Sequence, residues 1–308
     1  MAYRFVAFGE VLWDLLPSGR VLGGAPFNFI HRVASIGDRG IMISRLGDDG
    51  LGRKALAAME ALGMDARCIQ RDARHPTGTV PVSLDADGNP VFTIVPDVAY
   101  DFIEPASEAE AAVSAADCFC FGTLIQRSPG STRSLAGLLE SFHGKLRLLD
   151  LNLRRDCWTP GSVRSSIERA DVLKLNDDEA AAIAPLYGLE GLPLCGFPIA
   201  LLGKTRLSHV VVTLGPRGAF AVSGSGEAVY EPAYAVDVVD TVGSGDAFTA
   251  AFAHSLLAGW PLACSVRFGN ALGSCVAGQR GATGPVTSAD VERLVREDRR
   301  REPDPRFG

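Results

Sequence analysis

The chain has 308 residues, 47% hydrophobic and 21% charged, with a formal net charge of −6. Such a composition supports a sizeable core and excludes a globally disordered chain, and the acidic balance argues against a nucleic-acid or membrane-surface binder. Any anionic ligand must then be held locally, by helix N-termini, backbone N–H groups and single basic side chains.

In chain order, residues 5–9 (Phe-Val-Ala-Phe-Gly) read as a short strand, too short for a signal-peptide core or a membrane span. No stretch reaches about 18 uninterrupted apolar residues, so a cytoplasmic location is expected. Residues 28–37 and 52–63 read as helices, with a strand at 41–46 between them. Residues 77–94 break the rhythm, because alternating apolar residues flank Asp87-Gly88, a hairpin turn signal. On pattern alone this hairpin is equally an edge element or a flap over a cleft.

A strand at 117–121, a helix at 131–141, a strand at 146–151, a helix at 162–170, a strand at 172–175 and a helix at 177–184 follow. Residues 210–214 form a dense β-branched run, typical of a buried central strand. Helices at 247–258 and 261–276 come next, and a tail over 297–308, rich in Arg, Asp, Glu and Pro, is expected to fray. The repeated βα order predicts a mostly parallel sheet covered by helices on both faces, with ligands at the carboxyl ends of its strands. The seven cysteines, an odd number without a C-x-x-C pair, read as reduced core thiols. Cys118 and Cys120, two apart, fall on one strand face.

The motif that carries chemistry is Asp240-Thr241-Val242-Gly243-Ser244-Gly245-Asp246-Ala247-Phe248. An apolar β-branched run precedes it and a strong helix former follows, so Gly243, Ser244 and Gly245 open a helix. Glycines there let an anion approach free N–H groups, and the helix dipole adds partial positive charge. Asp246 in the first turn has two readings. It either complements the dipole, or it takes a proton from an alcohol attacking a phosphorus held in the cradle.

These residues resemble the ribokinase family of carbohydrate kinases, also called the PfkB family. Its second signature resembles residues 240–248. Its first resembles Gly23-Gly24-Ala25-Pro26-Phe27-Asn28 followed by Arg45-Leu46-Gly47-Asp48-Asp49-Gly50-Leu51-Gly52, and the opening Gly9-Glu10 … Asp14 … Pro17 is similar to bacterial fructokinase-like members. The resemblance runs from about residue 5 to 285. It implies a ribokinase-like three-layer α/β/α sandwich, with a mostly parallel central sheet and a small β lid. One kinase domain is expected over 1–308, with the lid inserted around 75–103.

The resemblance also implies roles. Asp246 is the expected catalytic base, and Gly243, Ser244 and Gly245 the anion hole. Asp14, Gly24 and Asn28 are the expected sugar contacts; read without the resemblance, Asp14 is a turn residue and Asn28 a cap. Thr213, Gly215 and Gly218 are expected beside the nucleotide. Asn152 and Arg154, in an Asp-x-Asn-x-Arg segment whose alternation puts Asp150, Asn152 and Arg154 on one side, are expected at its phosphates. Asn270 is expected near the adenine. Asn176 and Glu179 match an N-x-x-E motif that positions Mg²⁺ through water, and they also have capping-box spacing. Asp240 is the expected carboxylate of a K⁺ site. Two departures stand out: Ser244 where the family often has Ala, and Val242 where it often has Thr.

The implied activity is ATP- and Mg²⁺-dependent phosphorylation of a sugar hydroxymethyl group, with fructose the leading acceptor. Acceptors such as 2-keto-3-deoxygluconate, ribose or a nucleoside are the alternatives within the class. A non-catalytic sugar- or nucleotide-binding protein is the alternative outside it. No nucleic-acid or membrane partner is expected, and edge strands of the lid offer a route to a homodimer.

Overall fold

Residues whose sequence alternates between two buried faces build the central layer of the computed structural model, which describes residues 2–16, 19–84 and 90–307. The described residues contain thirteen strands: β1 (Arg4–Phe8), β2 (Leu12–Leu16), β3 (Gly19–Gly23), β4 (Arg39–Gly47), β5 (Ile69–Asp72), β6 (Gly78–Leu84), β7 (Pro90–Phe92), β8 (Cys118–Phe121), β9 (Leu146–Asp150), β10 (Val172–Asn176), β11 (His209–Thr213), β12 (Ala219–Ser223) and β13 (Ala228–Glu231). Ten α-helices accompany them: α1 (Ala25–Ser35), α2 (Gly50–Ala61), α3 (Ser107–Ser114), α4 (Pro129–Ser141), α5 (Pro160–Arg169), α6 (Asp177–Ile183), α7 (Gly196–Leu202), α8 (Ser244–Leu257), α9 (Leu262–Ala277) and α10 (Ser288–Glu297).

Nine strands form one sheet in the order β13-β12-β11-β10-β9-β8-β1-β4-β5. It is parallel from β5 to β11, and at one edge β12 pairs antiparallel with β11 and β13 antiparallel with β12. Period-2 alternation sorts the core. Phe119 and Phe121 of β8 face the layer that contains Leu135 and Leu138 of α4 and Val163 of α5. Cys118 and Cys120 face the opposite layer, which contains Phe29 of α1 and Phe252 of α8. This is the three-layer sandwich expected from the βα order. All seven cysteines are free, and four of them are buried.

A second sheet, β3-β2-β6-β7, stands apart from the first. The Asp87-Gly88 turn lies outside the described residues, but β6 and β7 pair antiparallel on either side of it. The small sheet is larger than the hairpin expected, because β2 and β3 join it; β2 pairs parallel with β6 and antiparallel with β3. Trp13 of β2 donates its indole N–H to the Leu51 carbonyl at 3.1 Å, tying this sheet to the start of α2. Residues 97–103, expected with the lid, belong instead to the main body. Tyr100 is fully buried there, and Asp101 accepts two hydrogen bonds of 2.8 Å from Arg127.

The C-terminal tail departs from the expectation of fraying. Phe307 stacks on Tyr230 at 4.9 Å, Asp304 is buried, and Arg217 pairs with Asp304 at 3.1 Å. Aromatic stacking and a buried carboxylate dock the tail on β13 and on the loop after β11. Among the described residues no helix is long and apolar enough to cross a membrane.

Candidate active site

The carboxyl ends of β1, β9, β10 and β11 converge with the N-termini of α1, α6 and α8. Gly243 caps α8 at φ 79°, a left-handed conformation that glycine adopts without strain. A Cβ at Gly243 would also lie 2.4 Å from Ala282 Cβ, so the close approach requires glycine twice over. The first i→i−4 bond of α8 runs from Ala247 N–H to the Gly243 carbonyl. The amides of Gly245 and Asp246 precede it and are open to a ligand. Ser244 is different: its N–H and its hydroxyl both donate to the Thr241 carbonyl, at 3.2 and 2.8 Å. The hydroxyl folds back to brace the turn rather than point into the cradle.

Asp246 is half-buried and accepts from Asn28 Nδ2 at 2.8 Å. This bond crosses from α8 to α1 and joins the two signature segments, 218 residues apart. Asn28 Oδ1 is buried and has no partner among the described residues, which leaves one acceptor free at the site. Gly24, with φ 115°, is the N-cap of α1, and a Cβ there would meet the Glu10 carbonyl at 2.4 Å.

Beneath the cradle lies a buried charge pair. Lys174 Nζ donates to Asp150 Oδ1 at 3.0 Å, and Thr249, one turn after Asp246, donates to Asp150 Oδ2 at 2.8 Å. A Cβ on Gly245 would lie 3.3 Å from Lys174 Nζ. Burial pushes the Asp246 carboxyl up to about 6, Asp150 pushes the same way, and Lys174, Asn28 and Arg154 oppose it. The Glu10 carboxyl, buried and accepting from Ala25 N–H at 3.2 Å, is raised by burial to about 7. Burial likewise raises Asp14 to about 6, with Arg154 opposing.

Other expected residues gather less tightly. Asp14 sits within β2, paired with Val21 and Val80, rather than in a turn. Its Oδ2 would be 3.2 Å from a Cβ on Gly23. The alternation expected for Asp150, Asn152 and Arg154 fails, because β9 ends at Asp150 and Asn152 is left-handed at φ 45°. Asp150 is buried and still lines a small cavity with Asn152 and Glu10, while Arg154 is exposed. Its charge still acts on Glu10, Asp14 and Asp246.

Asn176 and Glu179 form a reciprocal capping box at α6, with bonds of 2.8 and 2.9 Å. Glu179 Oε1 also accepts from Leu153 N–H at 2.8 Å, so it ties the end of β9 to α6. Thr213 donates to the Leu175 carbonyl at 3.3 Å. Gly215 and Gly218 bound the 3₁₀ turn after β11, and a Cβ on Gly218 would lie 2.1 Å from the Glu231 carbonyl. Asn270 donates to that same carbonyl at 2.8 Å, so Gly218 and Asn270 meet at the end of β13. Asp240 accepts from Val242 N–H and Gly281 N–H, each at 3.0 Å.

Sequence reasoning passed over Glu10 as a site residue, and over Lys174, Thr249 and Arg32 altogether. Lys174 had a legible signal, a lone charge inside the buried run Val172-Leu173-Lys174-Leu175. Charges are almost never fully buried unless paired.

The profile of the pfkB family of carbohydrate kinases matches residues 18–289. A fructokinase from Klebsiella pneumoniae is 32% identical over 267 residues, covering 81% of this chain and 83% of that protein. A 2-dehydro-3-deoxygalactonokinase from Haloferax volcanii is 30% identical over 331 residues, covering 96% and 98%. A double-mutant fructokinase from Vibrio cholerae, solved with fructose, ADP and potassium ion, superposes with a TM-score of 0.80 at 22% identity, covering 95% of this chain and 98% of that one.

Proposed function

This chain belongs to the pfkB family of carbohydrate kinases, ATP-dependent phosphotransferases, and from that premise we propose that it phosphorylates a hydroxymethyl oxygen of fructose. The observation that carries the reading is the 2.8 Å bond between Asn28 and Asp246, which sets the acceptor contact and the base side by side at the mouth of the cradle.

In this reading Asp246 takes the proton from the sugar hydroxyl as its oxygen attacks the γ-phosphorus. The bond from that phosphorus to the β,γ-bridging oxygen breaks, and ADP leaves. The free N–H groups of Gly243, Gly245 and Asp246 stabilise charge on the transferring phosphoryl. Asn28 Oδ1 accepts from a sugar hydroxyl and holds it against Asp246, and Asp14 offers a second acceptor from the lid side. Gly215, Gly218, Thr213 and Asn270 border the nucleotide, and Asn152 and Arg154 its phosphates. The lid sheet excludes water and so limits wasteful ATP hydrolysis.

Each Glu179 oxygen already accepts one backbone N–H, which suits a contact to Mg²⁺ through the ion's own water better than direct ligation. Mg²⁺ bound with ATP neutralises charge on the phosphates.

Glu10, Asp14 and Asp246 put three carboxyls at the acceptor end, opposed by Arg154. A sugar acid would add a fourth anion there, which favours a neutral ketose. The exposed Arg154 is a feature that suits a keto-deoxy acid, the substrate class named for the Haloferax relative. An ADP-release assay with fructose, ribose, a nucleoside and 2-keto-3-deoxygluconate decides between them. Turnover on the acid alone would overturn the fructose reading. ADP release on none of them, with ATP still bound, would favour the non-catalytic alternative. We further place the protein in the cytoplasm, as a homodimer through the lid edges, and size-exclusion with light scattering tests the latter.

A further inference from the structure

Among the described residues Arg32 is the largest side chain wholly removed from solvent. It lies on α1 one turn beyond Asn28. Its Nη2 donates to the Ala282 carbonyl, and neither Nε nor Nη1 has a protein acceptor among the described residues. No carboxylate pairs with Arg32 within salt-bridge distance among the described residues. A buried guanidinium with a single carbonyl contact is costly unless a negative charge comes to meet it.

The place where it is buried supplies the reason. Ala282 is the residue that packs on Gly243, the N-cap of the cradle. The neighbouring Gly281 amide donates to Asp240. The guanidinium therefore stands behind the two segments, 240–243 and 281–282, that shape the phosphate cradle. Those segments are also where a K⁺ site was expected around Asp240. What opposes that ion is charge: a fixed guanidinium already donates to the Ala282 carbonyl and stands alongside, while each Asp240 oxygen already accepts one backbone N–H.

We infer that Arg32 is a built-in cation that supports the phosphate cradle from behind, so that ATP binding and phosphoryl transfer in this protein need no monovalent ion. The inference rests on reading residues 243–245 as the phosphate cradle. Burial lowers the Arg32 guanidinium to about 10 while Asp246 opposes the change, so it stays charged at neutral pH. Its missing counter-charge arrives with the polyphosphate. Arg32 touches the loop and not the substrate, so it acts as a positioning residue.

The test is Mg-ATP binding by calorimetry on the full chain, in potassium and in tetramethylammonium buffers of equal ionic strength, with turnover followed in the same buffers. Wild-type affinity is expected to agree within about twofold between the two. Arg32→Met keeps the aliphatic volume and removes the charge. It should unfold at the same or a higher temperature, yet bind ATP weaker by on the order of tenfold. Arg32→Lys should recover most of the affinity. A wild-type affinity or rate that rises several-fold with potassium overturns the inference. So does an Arg32→Met variant that binds ATP as the wild type does, which would make Arg32 a packing residue. If that variant does not fold, the wild-type potassium series decides the question. A protein that binds ATP but phosphorylates no acceptor would refute the kinase reading, and the binding series would still test this one.

Discussion

Replacing Lys174 by Met isolates the charge pair under the cradle. The Lys174–Asp150 contact is 3.0 Å, and each side chain is 10% exposed. At an effective dielectric of about 20, the gross attraction is roughly 5–6 kcal/mol. The net cost of the variant is set by leaving Asp150 buried and unpaired, about 3–5 kcal/mol. Urea unfolding at pH 7 should show that loss, and Lys174→Met combined with Asp150→Asn should recover most of it. Activity carries a second signature. Lys174 favours the Asp246 carboxylate and Asp150 disfavours it. The acidic limb of the kcat/KM pH profile, expected near pH 6 in the wild type, should move to higher pH by about one unit in Lys174→Met and to lower pH in Asp150→Asn. A Lys174→Met variant that loses less than about 1 kcal/mol and keeps its limb in place would refute the reasoning, since a solvated ion pair behaves that way.

Gly243→Ala must hold φ 79° with a Cβ 2.4 Å from Ala282 Cβ, so the cradle has to shift. It should lower kcat roughly 10²–10³-fold, read in the ADP-release assay. Glu10→Gln keeps the acceptor for Ala25 N–H and removes the ionisable group. The Glu10 carboxyl is raised to about 7 when folded, against an ordinary 4.5. The stability linked to its proton is therefore complete below about pH 4.5 and is lost as the pH rises through 7. Glu10→Gln should consequently be more stable than the wild type at pH 8, by up to about 3 kcal/mol, and about equal at pH 4.5. Thermal unfolding at the two pH values checks this, and equal melting temperatures at pH 8 would count against it.

Six of the nine central strands were legible: β8, β9 and β10 are short apolar runs each followed by helical periodicity, β11 is a β-branched run, and β1 and β4 precede the first helices, whereas β5, β12 and β13 carry no such local signal. Cys118 and Cys120 share one face of β8, as their spacing required. The strands β2 and β3 escaped because Leu12-Trp13-Asp14-Leu15-Leu16 does not alternate and is only half-buried on a small sheet. The pairing of β2 with β6 joins residues far apart in the chain, and no local pattern encodes that. The tail was misread for a related reason. Its charged, Pro-containing sequence looks solvated, but Phe307 and Asp304 find partners on β13 and the β11 loop that only the fold brings near.

At the site, the Asp246 helix start could be read from glycine spacing and the following helix former. Its bond to Asn28 could not, and neither could the left-handed turn at Asn152 that sends Arg154 outward. Ser244 looked like a donor to the cradle from its position, yet its hydroxyl finds a nearer acceptor in Thr241. Arg32 was hidden because its contact, the Ala282 carbonyl, lies 250 residues away in the chain and only the fold brings the two together.

The most direct test of the account is rapid-quench turnover of Mg-ATP with the best acceptor, comparing wild type with Asp246→Asn, alongside calorimetric binding of each substrate. The account predicts that the variant binds ATP and sugar about as the wild type does, while kcat falls by roughly 10²–10⁴. Turnover near the wild-type rate would contradict the assignment of Asp246 as the base.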